Sequence, residues 1–342
     1  MATKETILSL QNVGIGFHRK SQNLTLLENL NLTVGKGDLI GIIGRNGSGK
    51  STLIRSIVRL LHILSGEIRI NSENLDDIHP NEFAQLLAYV SSGIEFSESM
   101  TVRELVSLGR FPYTNWIGRL STEDKDLIDD SLFKVGINQL SERKLSEISD
   151  GERQKAMIAR TLAQNTSIIV LDEPTAFLDI PSKYDIISLL HELTKKGKTV
   201  IYSTHDLNIA LRFSDKIWLI DKNSIKDGSP EDLILNKTIA SIFDSDKIHL
   251  NQMTGDFELR HHLNKVLCFN CDNPEIFYWT KQALQRSGYE IVSDSEKLIR
   301  LSAEINQGII NWKIKRFNEN LYFQNIYEML IELENSISNP GL

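Results

Sequence analysis

The stretch Gly44-Arg45-Asn46-Gly47-Ser48-Gly49-Lys50-Ser51 limits the folds open to this chain more than any other. It follows the continuous apolar run Leu39 to Ile43 and opens the amphipathic run Ser51 to Leu61, so a glycine-rich turn joins a buried strand to a helix start. Glycines allow the backbone N–H groups to turn inward, and the helix N-terminus adds its positive dipole end, which together make an anion cradle. The run matches the phosphate-binding-loop pattern in full. In that pattern Lys50 reaches the β- and γ-phosphates of a nucleotide and the Ser51 hydroxyl ligates Mg²⁺. A glycine-rich turn without a ligand is the alternative, and the strand–loop–helix context weighs against it. The residues expected at the nucleotide are therefore Gly44, Arg45, Asn46, Gly47, Ser48, Gly49, Lys50, Ser51 and Thr52.

Further apolar runs, Ile168 to Leu171, Thr199 to Tyr202 and Ile217 to Ile220, lack polar alternation, as strands buried on both faces of a parallel sheet do. Helical patterns such as Ser182 to Leu193 lie between them, which predicts an α/β layer fold. Shorter runs, Ile7 to Gln11, Leu24 to Leu27, Leu30 to Val34 and Ile68 to Ile70, predict an antiparallel addition. The strand Ile168 to Leu171 ends in Asp172-Glu173. An acid there suits the Mg²⁺ shell of a nucleotide-hydrolysing site, and the next one is placed to polarise an attacking water.

With these residues in place, Ile148-Ser149-Asp150-Gly151-Glu152 resembles the signature of ABC ATPases, usually written LSGGQ, differing at three of five positions. The resemblance implies that Ser149, Gly151 and Glu152 face a nucleotide held by another subunit. Ala176-Phe177-Leu178-Asp179 resembles the family's D-loop, with Asp179 joining the two halves, and His205 resembles its γ-phosphate-contacting histidine. Phe17 stands where the family stacks an aromatic on adenine, and simple packing is the other reading. In the family the strand Leu87 to Val90 leads into a Gln that helps hold Mg²⁺ and links to the permease. Here that position is Ser92, which puts both roles in question.

The resemblance covers about Leu8 to Leu259 and implies a P-loop ABC ATPase with a parallel-sheet core, an antiparallel β subdomain and a helical subdomain. Within the family, Thr101-Val102-Arg103-Glu104-Leu105-Val106-Ser107-Leu108-Gly109-Arg110-Phe111-Pro112-Tyr113 is similar to a segment of importers for iron-siderophore, haem and vitamin B12. Helical packing alone is the other reading of that segment. The implied function is ATP hydrolysis, with Glu173 and His205 catalytic and Ser51 and Asp172 on Mg²⁺, energising uptake of an iron chelate or cobalamin. The implied partners are a second copy of the chain, integral membrane permease subunits and, indirectly, a substrate-binding protein. The implied place is the cytoplasmic face of the bacterial inner membrane, held there peripherally. The rival is a soluble ABC ATPase outside transport.

The expected organisation is residues 1–255 for the ATPase domain, with the helical subdomain at about 95–150, and 256–342 for a small α/β appendage. In the appendage, Lys265 to Phe269 reads as a strand, and a helix starts at Asn273-Pro274 and stops at Gly288. Trp312 to Phe317 and Leu321 to Phe323 read as a hairpin before a last helix, Ile326 to Glu334, with Asn325 and Glu328 as its capping box. The formal net charge of -7 argues against non-specific nucleic-acid binding. No apolar run approaches a membrane span, and the first residues lack a signal-peptide pattern. Two cysteines, Cys268 and Cys271, cannot form a disulfide framework. They read as ordinary buried or turn cysteines in preference to a zinc pair. Glu319 to Gln324 resembles a viral protease cleavage sequence, but the hairpin pattern runs through it, so it reads as native.

Overall fold

The computed structural model describes residues 4–18, 24–91, 97, 99–114, 118–292, 299–316 and 319–338. Two compact units divide the chain: residues through Phe243 with Leu250–Asp256, and Asp244–His249 with everything from Phe257 onward.

The first unit opens with β1 (Thr6–Phe17), β2 (Leu24–Gly35), β3 (Leu39–Gly44), α1 (Lys50–Ile57), β4 (Ser65–Ile70) and β5 (Glu73–Asn74). Next come α2 (Pro80–Leu86), β6 (Leu87–Val90), α3 (Val102–Ser107), α4 (Thr122–Lys134), α5 (Asp150–Ala163) and β7 (Ile168–Leu171). It continues with α6 (Ile180–Lys195), β8 (Thr199–Ser203), α7 (Leu207–Phe213), β9 (Lys216–Asp221), β10 (Ser224–Gly228), α8 (Pro230–Leu235) and α9 (Thr238–Phe243).

A six-stranded sheet in the order β10-β9-β3-β8-β7-β6 forms its core, parallel except for β10. Every residue of β3, β7 and β8 is buried, as their unbroken apolar runs require. Successive residues face opposite layers. Ile168 and Val170 join the core shared with the antiparallel sheet β2-β1-β4-β5, whereas Ile169 and Leu171 join the core shared with the helices. Leu53, Ile54 and Ile57 of α1 belong to the first of these.

Several local expectations differ from the structure. The run Ile7 to Gln11 is only the first part of β1, which continues to Phe17 because its pairing with β2 extends to Leu24. The runs Leu24 to Leu27 and Leu30 to Val34 are one strand, β2, because Asn29 takes φ 52° and bends the chain without breaking it. Helix α1 ends at Ile57, short of Leu61, because Arg59 enters the left-handed region at φ 59°. The N–H groups of Leu60 and Leu61 then turn back to the Arg55 carbonyl, and the Arg59 guanidinium donates to Ile78 O at 2.7 Å. Helix α6 starts earlier than Ser182, because Asp179 caps it and Pro181 suits its first turn.

In the helical region, Thr101 with Glu104 and Ser121 with Asp124 form capping boxes that start α3 and α4. The Leu108–Tyr113 turn of 3₁₀ helix between them is tied in by a buried pair. Arg110 Nε donates to Asp124 Oδ1 at 2.7 Å, and Arg110 Nη1 donates to Ala163 O at 2.8 Å. A Cβ on Gly109 would sit 2.2 Å from Arg160 O, so only glycine lets this turn approach α5. The Arg110 guanidinium lies 4.0 Å from the Tyr113 ring centroid. Packing thus accounts for Gly109, Arg110 and Tyr113 in the segment read as importer-like.

The second unit has β11 (Ile248–Leu250, whose last residue falls in the first unit), β12 (Phe257–Leu259), β13 (Lys265–Asn270), α10 (Pro274–Arg286) and β14 (Tyr289–Ile291). It ends with β15 (Arg300–Asn306), β16 (Ile309–Arg316), β17 (Glu319–Phe323) and α11 (Ile326–Ser338). A five-stranded sheet, β14-β13-β15-β16-β17, packs one face on α10 and α11 around Leu267, Leu301, Trp312, Ile314 and Leu333. Asn273 caps α10, Gly288 follows it at φ 82°, and the Glu328 N–H donates to Asn325 Oδ1. Strands β14 and β15 have no counterpart in the sequence reading: one is three residues long, and the other places only Leu301 and Ala303 in the core.

Candidate active site

Strand register brings the site together. β3 lies between β8 and β9, with Ile42 beside Ser203, and β7 lies beyond β8, with Leu171 beside Tyr202. The ends of β3, β7 and β8 therefore deliver the glycine-rich loop, Asp172-Glu173 and Ser203-Thr204-His205 to one edge, where open α/β sheets bind ligands.

In the loop, Gly47 and Gly49 take φ 75° and 103°, and Gly49 caps α1. A Cβ on Gly44 would meet Ser48 Oγ at 2.7 Å and Ile220 O at 3.0 Å, so a side chain there would fill the cradle. Among the described residues, Ser48 Oγ is buried without a hydrogen-bond partner. Lys50 is buried; its Nζ donates to Gly44 O at 3.0 Å and lies 3.4 Å from His205 Nδ1. Burial pushes the Lys50 ammonium below its ordinary value, and the Glu173 and Asp172 carboxylates oppose that shift.

Lysine only donates, so His205 Nδ1 accepts, and the proton of a neutral ring then sits on Nε2. Nε2 faces Glu173 Oε1 at 2.5 Å. A chain of contacts thus runs from Lys50 through His205 to Glu173. The second line runs through Asp172, which is buried. Its Oδ1 accepts from Ser51 Oγ at 3.3 Å and from Ser203 Oγ at 2.6 Å.

Glu173 itself takes φ 55°, a left-handed conformation that costs a non-glycine residue about 1–3 kcal/mol. Its N–H donates to Ser203 Oγ at 2.9 Å, which helps hold that conformation. Ser203, which bonds both Asp172 and Glu173, is the residue of this edge that the sequence reading did not single out. Its only signal was a hydroxyl ending an otherwise apolar strand. Ser203→Ala is expected to lower kcat by about tenfold to a hundredfold, about 1.4–2.7 kcal/mol of barrier, with little change in nucleotide affinity. A steady-state ATPase assay beside equilibrium nucleotide binding checks this.

The remaining predicted residues make separate local structures. Ser149 caps α5, accepting the Glu152 N–H at 3.3 Å and donating to Glu152 Oε2 at 2.9 Å. Hydrogen bonds from the Ser149 N–H and hydroxyl hold the Glu152 carboxyl below the usual range. A Cβ on Gly151 would touch Leu178 and Phe177 O at 3.3 and 3.4 Å, so signature and D-loop pack together. Gln154 Nε2 donates to Pro174 O at 3.3 Å, tying α5 to the segment after Glu173. Asp179 caps α6 through the Ser182 N–H at 3.0 Å, and its hydrogen bonds with Ser182 lower its carboxyl pKa. Phe177, at φ 63°, is exposed.

Arg45 and Asn46 are exposed, and Thr52 is half-buried in the first turn of α1. Phe17 ends β1 opposite Leu24 with its ring partly exposed, and Leu27 of β2 is the side chain closest to a Cβ on Gly49, at 3.7 Å. Ser92 lies outside the described residues. Among the described residues, no group of three or more His, Cys, Asp or Glu side chains is placed to hold a metal. No helix among them is long and apolar enough to cross a membrane.

A family described as ABC transporter matches residues 27–176, and one described as iron ABC transporter C-terminal domain matches residues 272–334. An uncharacterized ABC transporter ATP-binding protein of Methanocaldococcus jannaschii is 35% identical over 75% of this chain and 88% of its own. The iron(3+)-hydroxamate import ATP-binding protein FhuC of Bacillus subtilis is 34% identical over 78% of this chain and 95% of its own. Among solved structures, a nucleotide-free ATP-binding cassette from an ABC transporter superposes with a TM-score of 0.62 at 26% identity, covering 70% of this chain and all of that one. A dimeric bacterial ABC transporter cassette gives 0.60 at 28% identity, over 66% of this chain and 99% of that one.

Proposed function

We propose that this chain, which belongs to the ABC transporter ATP-binding family, hydrolyses ATP to energise import of an iron chelate through a membrane permease. The observation that carries the reading is the convergence of Lys50, Ser51, Asp172, Glu173 and His205 at one sheet edge. Lys50 and the loop N–H groups of Gly47 to Ser51 hold the phosphates, and the partly exposed Phe17 offers its ring to the adenine. Ser51 Oγ and Asp172 Oδ1 are hard oxygen donors 3.3 Å apart, a set that suits Mg²⁺. When bound, the ion neutralises phosphate charge. Ser203 keeps Asp172 and Glu173 in register, Glu173 accepts the proton of the attacking water, and His205 orients Glu173 through Nε2.

A single chain holds one phosphate-binding loop and one signature. Ser149 and the N–H groups opening α5 serve the nucleotide of a second copy, with Asp179 at the contact. Support comes from the dimeric cassette to which this chain is similar. The iron-chelate cargo is supported by the hydroxamate importer relative, by a 37% identical petrobactin import ATP-binding protein of Bacillus anthracis, and by the match over residues 272–334. The chain works at the cytoplasmic face of the membrane, beneath permease subunits fed by a substrate-binding protein.

An apolar groove of about 310 Å³, lined by Leu60, Phe83, Leu108, Phe111 and Pro112 among others, gives the permease a seat. Phe111 and Leu60 are exposed at 72% and 65%, an apolar pair that a partner would cover. Reconstitution with permease and binding protein in liposomes is expected to give ATP-dependent uptake of a ferric trihydroxamate. Phe111→Asp should abolish co-purification with the permease while ATPase activity of the isolated chain stays within about twofold. A protein that hydrolyses ATP yet binds no membrane permease would instead be a soluble ABC ATPase outside transport.

A further inference from the structure

The two helices of the second unit, α10 and α11, lie together on one face of its sheet, with Ile276, Leu284, Met329 and Leu333 turned into the core. The helical period turns other side chains away from that core. On α10 these are Tyr278 and Trp279, exposed at 50% and 60%. On α11 they are Tyr327 and Ile331, four residues apart and exposed at 74% and 42%. The Tyr278 and Trp279 rings brace each other edge to face, with 5.2 Å between centroids and 83° between planes. Charge differs between the two helices. After the Glu275 of its first turn, α10 presents the exposed Lys281 and Arg286, whereas α11 carries Glu328, Glu332 and Glu334 and no lysine or arginine.

We propose that this face pairs with the same face of a second copy, α10 of one chain lying on α11 of the other, twice about a two-fold axis. An isologous contact requires one surface to hold both halves of a complementary pair. Here each helix has an exposed apolar ridge, and the cations of α10 match the acids of α11. A membrane is the poorer occupant, since anionic headgroups repel the acidic α11. Area sets the strength. The four exposed apolar side chains offer about 400–500 Å² per copy, so the pair buries about 800–1,000 Å². A stable interface takes roughly 1,200 Å² or more, so this contact does not hold two chains together by itself. It rests on the reading that two cassettes close around ATP, which brings the two second units to about millimolar effective concentration. The second unit then acts as a clamp that prolongs the ATP-bound pair.

Analytical ultracentrifugation of the full-length Glu173→Gln chain with ATP and Mg²⁺ gives the Kd of the pair. Trp279→Ala combined with Tyr327→Ala in that chain is expected to raise it about tenfold or more, since each copy loses two aromatic anchors. Lys281→Gln combined with Arg286→Gln leaves the aromatics in place and should raise it about twofold to fivefold, with a smaller effect at high salt. All four exchanges are at exposed positions, and unchanged ATP affinity shows that each variant is folded. A Glu173→Gln chain that pairs with ATP at the same Kd in either variant overturns the inference and leaves the cassette reading intact. A Glu173→Gln chain that binds ATP and does not pair at all overturns both. An unchanged Kd with loss of permease co-purification assigns the face to the permease and also overturns the inference.

Discussion

Replacing Glu173 by Gln is expected to lower kcat for ATP hydrolysis by about a hundredfold to ten-thousandfold, about 3–5 kcal/mol of barrier, while nucleotide affinity stays near the parent's. The amide keeps the shape and size of the carboxylate but cannot take a proton from water. The phosphate contacts proposed for Lys50 and the glycine loop do not involve this side chain, so binding should survive. The backbone at φ 55° is retained as well, since Ser203 Oγ holds the residue 173 N–H independently of the side chain. Single-turnover hydrolysis beside equilibrium nucleotide binding separates the two quantities. A rate within about tenfold of the parent would remove Glu173 from the chemistry.

The second large effect concerns stability. Arg110 and Asp124 are both buried, and their contact joins the Leu108–Tyr113 turn to the start of α4, while the bond to Ala163 O reaches the end of α5. Arg110→Ala leaves Asp124 buried without its cation, which is expected to cost about 3–5 kcal/mol, read as a shift in urea midpoint. Arg110→Met combined with Asp124→Leu removes both charges and should recover most of that loss.

The pH dependence follows from the direction of the Asp124 shift. Burial pushes its carboxyl up, but hydrogen bonds from the Ser121 N–H, Arg110 and the Ser121 hydroxyl outweigh burial and leave it below the usual range. A carboxyl depressed in the folded state binds fewer protons than in the unfolded chain. Its contribution is therefore complete above the unfolded value of about 3.9 and disappears as pH falls through the lower folded value. In the Arg110→Ala chain the guanidinium no longer offsets burial, so the Asp124 carboxyl sits higher than in the parent. The stability gap should be widest where Asp124 is ionised in both chains and should narrow as pH falls through the variant's value towards the parent's lower one. A gap that stays constant into strong acid would mean that the Asp124 charge is not what the substitution exposes.

What the sequence made legible was local. The glycine loop is contiguous, and the strand and helix on either side are unmistakable in period, so Lys50 and Ser51 could be named without a structure. Asp172 and Glu173 stood out as acids closing an apolar run. Helix caps were readable for the same reason, as with Asn273 before Pro274. Less legible were features that depend on register between distant strands or on contacts between helices. The role of Ser203 exists only because β8 lies between β3 and β7. Arg110 and Asp124 are fourteen residues apart on different elements, and nothing in either neighbourhood announces the pair. Gly109 reads as an ordinary loop glycine until α5 is placed against it. Strand β15 was not assigned because only two of its apolar residues reach the core.

The central claim is that hydrolysis occurs in a site completed by two copies of the chain. It is tested most directly by the solution mass of the Glu173→Gln protein with and without ATP and Mg²⁺. Blocked hydrolysis should hold the closed pair together, so the account predicts twice the 38.9 kDa chain mass with ATP and the single-chain mass without it. Adding Ser149→Arg to the same protein, which obstructs the signature without touching the glycine loop, should return the mass to a single chain while nucleotide still binds. A Glu173→Gln chain that is saturated with ATP and stays at 38.9 kDa, or a pair that survives Ser149→Arg, would contradict the account.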